Sequence, residues 1–269
     1  MKADLHTHSN FSDGSDDVGR LISIAKEKGL DAIAVTDHDT LFHLAEISSS
    51  TGILVVGGVE ISAIHHKTRT KAHILGYSIK KPETVMSLTQ PLLESRNENS
   101  ERQAEILIRL GYKIDMSRIK RAGGKYLYKQ HIMDWLVSTG QAPDLFGDFY
   151  KKTFRGGGVC DFEIEYIDVF DAVKTIKKAG GLSVLAHPGQ QQNFKLIPEL
   201  VKAGLDGIEL NHQANSEKDR GKIQGYANRY DLFLTGGSDY HGKYERYPVG
   251  IGDFLSEDSG NIAIFKTKN

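Results

Sequence analysis

Short clusters of histidine and carboxylate recur through this 269-residue chain, and each closes a stretch patterned like a buried β-strand. They are Asp4-Leu5-His6-Thr7-His8 with Asp13, Thr36-Asp37-His38-Asp39, Gly58-Val59-Glu60, Ala72-His73, Ala186-His187-Pro188 and Ser238-Asp239-Tyr240-His241. Neutral imidazole and carboxylate are the ligand set of zinc, manganese and iron. Chance would scatter such residues. Their return after apolar runs at the start, middle and end of the chain predicts one polymetallic centre assembled by the fold.

The apolar pattern supplies the frame. Strands are predicted over 3–8, 31–36, 53–56, 59–61 and 71–79, with helices over 18–28 and 41–48. Leu21, Ile22 and Ala25 share a face of the first helix, and Gly29 is placed to end it. After Pro82 the pattern becomes a long polar helical run to about Gly111, then a helix over 128–138, a third after Pro143, and a flexible return at Gly156-Gly157-Gly158. Residues 83–160 thus read as a helical insertion subdomain capping the site, with 1–82 and 161–269 forming the main domain. Strands over 182–186, 207–210 and 232–235 then alternate with helices over 169–176, 194–202 and 216–229. Repeated β-α units imply parallel strands with right-handed crossovers. A closed barrel gathers chemistry at the C-terminal strand ends, whereas an open sheet brings fewer ends together. The clusters mostly follow their strands, which favours the barrel.

Composition narrows the class. Hydrophobic residues are 39% and charged residues 26%, the balance of a soluble globular protein. No apolar run approaches the roughly 18 residues of a membrane span, and the N-terminus has no basic-then-apolar leader, so the expected location is cytoplasmic. The net charge of −1 gives no bulk attraction to nucleic acid. Between Arg109 and Lys129, however, seven basic residues face Asp115 alone, with Tyr112, Tyr126 and Tyr128 interleaved. That stretch reads either as a solvated face or as a phosphate-attracting lip. The lone Cys160 cannot form an internal disulfide and reads as structural.

Nine residues are candidate ligands: His6, His8, Asp13, His38, Glu60, His73, His187, Asp239 and His241. His6 and His8 point to one side of an extended segment, and Asp239 and His241 repeat that spacing. Nine residues leave three ions with open positions, as catalysis requires. Asp37 and Asp39 are expected to orient imidazoles, with Asp4 either doing the same or starting its strand. His43 reads as incidental, and His65-His66 as part of a polar loop.

Five motifs carry a resemblance: Asp-Leu-His-Thr-His-Ser at 4–9 with Ser12-Asp13-Gly14, Thr-Asp-His-Asp-Thr at 36–40, Gly-Val-Glu-Ile-Ser at 58–62, Ala-His-Pro-Gly at 186–189 and Gly-Ser-Asp-Tyr-His-Gly at 237–242. In this order they resemble the polymerase-and-histidinol-phosphatase (PHP) family of metal-dependent phosphoesterases. The likeness is closest to its stand-alone branch of 3′,5′-nucleoside bisphosphate phosphatases and 5′-to-3′ RNA-trimming exonucleases. The resemblance implies an α/β fold, a distorted (β/α)7 TIM-like barrel, with a trinuclear site. It assigns His6, His8, Glu60 and Asp239 to one ion, Asp13, His38 and His241 to a second, and Glu60, His73 and His187 to the third. Manganese is the expected divalent metal, with iron or zinc as alternatives.

The implied reaction is attack of a metal-activated hydroxide on phosphorus. His212 and His131 are the candidate acids for the leaving oxygen, and Asp13 joins them among the catalytic candidates. Arg96, Asn99, Arg102, Lys129, His131 and Gln190 are the expected substrate contacts. Asn99, Lys129 and Gln190 stand where the related branch tends to carry arginine, which weakens the case for a doubly phosphorylated substrate. The partner is a small phosphorylated substrate, a nucleotide or short RNA, with no membrane and no obligatory protein partner. The alternatives are a histidinol-phosphate or other small-metabolite phosphatase, and a non-catalytic metal-binding module.

Overall fold

The computed structural model of the protein describes residues 1–47 and 52–266. Its strands follow the burial that their sequences demand. Strand β2 (Ala32–Val35) is buried at all four positions, as a strand covered on both faces must be. It pairs in parallel with β1 (Ala3–Asp4) and β3 (Leu54–Gly57). A second, mixed sheet has the order β6 (Ile167–Asp168), β4 (Val59–His65), β5 (Thr70–Tyr77), β7 (Leu182–Leu185), β8 (Gly207–Asn211) and β9 (Phe233–Gly236). The class is α/β, with one parallel and one mixed sheet.

The paired strands do not close into the expected barrel; they form two sheets. Isolated contacts join their edges. Leu5 N donates to Gly236 O at 3.1 Å, and Thr7 bridges Tyr240 in parallel. His38 bridges Glu60 in the same sense.

Strand β5 is antiparallel to both its neighbours, β4 and β7. The short β4–β5 turn reverses the chain without a crossover helix. Glu60 therefore does not end a strand: β4 continues past it to His65. His73 lies within β5, as the strand expected over 71–79 places it, opposite Ser62.

Helix α1 (Val18–Glu27) starts where the Asp17 carboxylate accepts from Arg20 N at 2.7 Å, and it buries Val18, Leu21, Ile22 and Ala25. Helix α5 (Val169–Lys178) is capped in the same way by Asp168 and buries Val169, Ala172, Val173 and Ile176 against β4, β5 and β7. The helix expected over 41–48 is only a short 3-10 turn, Phe42–Glu46; Ser48 lies outside the described residues.

The polar run forms the long helix α2 (Pro82–Arg109), followed by α3 (Lys129–Ser138) and α4 (Asp148–Phe154). Ala104, Leu107, Leu127, Ile132, Leu136 and Phe154 are buried in a core of their own. Cys160 is fully buried beside them, and burial pushes its thiol up to about 11. A separate core lies under β4, β5, β7 and β8, covered by α5 and by the helices Ile197–Ala203 and Glu217–Tyr230.

Candidate metal centre

All nine candidate ligands come together. His6 and His8 follow β1, His38 follows β2, His187 follows β7, and Asp239 and His241 follow β9. Glu60 sits at the middle. Its Oε2 lies 3.2 Å from both His6 Nε2 and His8 Nε2, and 3.3 Å from His38 Nδ1. Its Oε1 lies 2.8 Å from His73 Nδ1 and 2.8 Å from His187 Nε2. Asp239 Oδ1 lies 3.0 Å from His8 Nε2 and 3.3 Å from His6 Nε2. Asp13 Oδ1 is 3.3 Å from His241 Nε2.

Among the described residues the donor atoms gather in four groups that could hold an ion: His6, His8, Glu60 and Asp239; His8, Asp13, His38 and His241; His38, Glu60 and His73; and His6, Glu209 and His212. The unpartnered atoms test the fit to divalent metal. His6 Nε2, His8 Nε2, Asp13 Oδ1, Glu60 Oε2 and Asp239 Oδ1 are all buried without a hydrogen bond. Buried polar atoms are rarely left so. Here they approach one another without hydrogen-bond alignment, because they face shared points between them. Imidazole nitrogen and carboxylate oxygen at such points fit a first-row divalent cation.

The electrostatics agree. Burial alone would raise the Glu60 carboxyl, but His38, His6 and His73 outweigh it and hold the group well below the usual carboxylate range. Asp13 is likewise lowered against its burial, chiefly by His241 and His38. Burial opposes charge on His6, yet Glu60, Glu209 and Asp239 hold its imidazole well above its ordinary value.

Backbone geometry brings the pieces close. A side chain on Gly237 would collide with His6 Cβ, so only glycine lets the segment after β9 pass the segment after β1 there. Asp239 (φ 57°) and His187 (φ 24°) hold left-handed backbones, a strain typical of functional sites.

Glu209, in the middle of β8, was not among the candidate site residues. It is fully buried; its Oε1 lies 3.0 Å from His6 Nδ1, and its Oε2 accepts from His187 N at 2.8 Å. A lone carboxylate inside the apolar run Gly207-Ile208-Glu209-Leu210 was the available signal.

Asp37 and Asp39 do not contact ligand imidazoles as expected. Asp37 accepts from Ser9 N, Ser9 Oγ and Ser12 Oγ. Asp39 accepts from Ser62 N and pairs with Arg96 at 2.8 Å. Asp4 accepts from the backbone of His6, Ser238 and Gly252.

Two cavities adjoin the centre. The larger, about 460 Å³, is lined by His212, Asp239, His241, Gln190, Gln130 and Tyr244 among others. His212 Nδ1 accepts from Ala214 N at 3.0 Å, so a neutral ring carries its proton on Nε2, 3.3 Å from Asp239 Oδ2. His131 lines neither cavity. It is buried, accepts from Tyr128 N at the start of α3, and is pushed down to about 4 by burial.

The smaller cavity, about 190 Å³, includes Asp13, Arg96, Asn99, Lys129 and Arg155 in its lining. Arg96 Nε is buried without a partner. Burial lowers Lys129, and the nearby Arg155, Arg96 and Lys71 add to the effect. Arg102 is not in this lining and lies over the Phe162 ring at 4.2 Å. Within the basic stretch, Lys129 alone reaches the cavity; Arg121 pairs with Glu101 and Lys125 covers Tyr126. Arg155, outside that stretch, was not anticipated.

Comparison with known proteins places this site in a family. A family model described as PHP domain matches residues 4–184. The phosphoribosyl 1,2-cyclic phosphate 1,2-diphosphodiesterase of Eggerthella lenta is 40% identical over 254 residues, covering 92% of this chain and 97% of that relative. A 5′-3′ exoribonuclease of Haemophilus influenzae is 30% identical over 255 residues, covering 89% and 90%. A solved structure from Bifidobacterium adolescentis, described as a metal-dependent phosphoesterase, is 27% identical with a TM-score of 0.88, over 98% of this chain and 95% of that one.

Proposed function

The chain belongs to the PHP-domain family and is a metal-dependent phosphoesterase, and from that premise we propose that it hydrolyses phosphate esters of a ribose carrying a second phosphate. The observation that carries the reaction class is the set of buried, unpartnered nitrogen and carboxylate oxygen atoms around Glu60. The ligand partition implied by the resemblance supplies three ions, with manganese as the metal. Bound divalent ions lower the pKa of water and neutralise charge developing on phosphate oxygens.

The remaining work falls to this chain's own side chains. His212 lines the larger cavity and, once protonated on both ring nitrogens with release of the bond from Ala214 N, is the proposed donor to the leaving oxygen, returning to the neutral ring. Gln130 Nε2 donates to Asp13 Oδ2 at 2.9 Å and leaves Oδ1 free to serve as a ligand. Arg96, Lys129 and Arg155 are proposed to receive the second phosphate in the smaller cavity. Arg155 returns part of the positive charge lost where relatives hold arginine. The amides of Gln130 and Gln190 suit the hydroxyls of a neutral sugar in the larger cavity.

Nucleoside 3′,5′-bisphosphates, 5′-phosphorylated short RNA and phosphoribosyl cyclic phosphate all meet this description. The identity with the Eggerthella lenta diphosphodiesterase puts the last first in order of testing. We also read the two sheets as one distorted barrel wall; the edge contacts of Leu5 with Gly236 and of His38 with Glu60 support this. Residues 83–160 are read as its cap, supported by their separate core and by the Gln130–Asp13 contact.

A release assay on metal-quantified protein tests the proposal. Doubly phosphorylated ribose substrates should turn over and histidinol phosphate should not. Preference for histidinol phosphate would move the enzyme to small-metabolite phosphatases. No turnover of any ester at full manganese loading would leave a metal-binding module.

A further inference from the structure

His43 belongs to the short 3-10 turn Phe42–Glu46, outside every group of candidate ligands. It is fully buried. Its Nδ1 lies 2.9 Å from Asp37 Oδ2, a close contact outside hydrogen-bond alignment, and its Nε2 is buried with no partner. An imidazole kept in such a place at the cost of an unsatisfied nitrogen is poorly explained by packing alone, because leucine would fill similar space without that penalty.

Asp37 turns its carboxylate toward the loop after β1. Oδ1 accepts from Ser9 N at 2.7 Å and from Ser12 Oγ at 2.6 Å; Oδ2 accepts from Ser9 Oγ at 2.6 Å. Ser9 in turn closes the loop, since its carbonyl accepts from Ser12 N and Gly14 N and its hydroxyl from Phe11 N. Asp13 lies inside this ring of bonds. Among the described residues, the side chains within bonding distance of the Asp37 carboxylate are those of Ser9, Ser12 and His43, and His43 alone lies outside the loop.

We infer that His43 is a positioning residue for the metal centre: by holding Asp37, it fixes the loop 9–14 that presents Asp13. The inference rests on the metal-centre reading above. It assigns His43 no contact with substrate and no proton transfer. Its consequence is selective. The ion that depends on Asp13 should suffer, while the ion held by His6, His8, Glu60 and Asp239 should keep its ligands.

The test is equilibrium dialysis against manganese with elemental analysis, on wild type, His43→Leu and His43→Asn. The asparagine amide can replace the Nδ1–H donor; leucine can replace only the volume. His43→Leu should weaken the last manganese bound by about 10–100-fold, the usual effect of losing a group that orients a ligand, and leave the tightest ion unchanged. His43→Asn should stay within about threefold of wild type on that scale. If His43→Leu does not fold, Ser12→Ala removes a bond at the other end of the chain of contacts and should show the same selective loss. Wild-type loading in His43→Leu, with poorer loading in His43→Asn, would assign the residue to packing and overturn the inference. Wild-type protein that holds no manganese would overturn the metal-centre reading as well.

Discussion

Glu209 Oε1 lies 3.0 Å from His6 Nδ1, although 203 residues separate them in the chain. The carboxylate fixes the ring so that Nε2 faces Glu60 and Asp239. Glu209→Gln keeps the volume but loses the charge that makes His6 a stronger base. Manganese affinity should fall about 10–100-fold, measured by equilibrium titration. An unchanged isotherm would show that His6 is oriented without it.

Metal capture should release protons. Carboxylates hold His6 and His187 above their ordinary imidazole values against the effect of burial, and Asp13 and Asp239 raise His241 to about 10. The His241 ring binds a proton at neutral pH when no metal competes, and the other two are shifted in the same direction, so affinity should fall as pH falls. Calorimetric titration with manganese in two buffers of different ionisation enthalpy should give different heats. Equal heats would count against charged imidazoles in the metal-free protein.

Arg155→Ala and Lys129→Met should raise KM for a doubly phosphorylated ribose by about 10–100-fold, from the loss of a charge-assisted bond of about 1.5–3 kcal/mol. Hydrolysis of an aryl monophosphate, which has no second phosphate, should change little. Equal damage to both substrates would place these cations at the reacting phosphate.

His212→Asn should slow an alkyl or ribose phosphate by about 10²–10⁴-fold, the range of general acid catalysis. Nitrophenyl phosphate, whose leaving group needs no proton, should be almost unaffected. A uniform loss on both would remove His212 from the role of acid.

His131 offers a check on folding. Burial pushes its imidazole down to about 4, with Asp13 and Asp134 opposing, against about 6.5 in an unfolded chain. The unfolded state therefore binds the proton more tightly. The contribution of the neutral ring is present above about pH 6.5 and is lost as pH falls toward 4. In chelator, wild type should lose about 2 kcal/mol more than His131→Gln between pH 7 and 4.5 by urea unfolding. Parallel losses would show that His131 is freely protonated when folded.

The candidate ligands were legible because each lies in a compact motif beside an apolar run, where sequence neighbours already report the chemistry. The helical character of residues 82–109 was equally plain, since its polar composition and the stop at Gly111 are local signals. The direction of β5 was less so: a hairpin and a crossover leave similar apolar patterns on the strand, and only pairing reveals that His73 enters against the others. Glu209, Arg155 and His43 share another difficulty. Each lies near the centre only through neighbours in space that the finished fold brings close. His131 shows the reverse, a histidine in a suggestive segment whose ring the fold turns to capping a helix.

The bond from Gln130 Nε2 to Asp13 Oδ2 spans 117 residues and ties α3 to the loop beneath it. Ion capture and docking of the helices thereby become linked equilibria. Whatever loosens the helical layer from its seat makes the protein a weaker chelator, and whatever strips the cations relaxes the grip on that layer. Trimming the chain to its sheets would leave a cage with one of its bars unfastened.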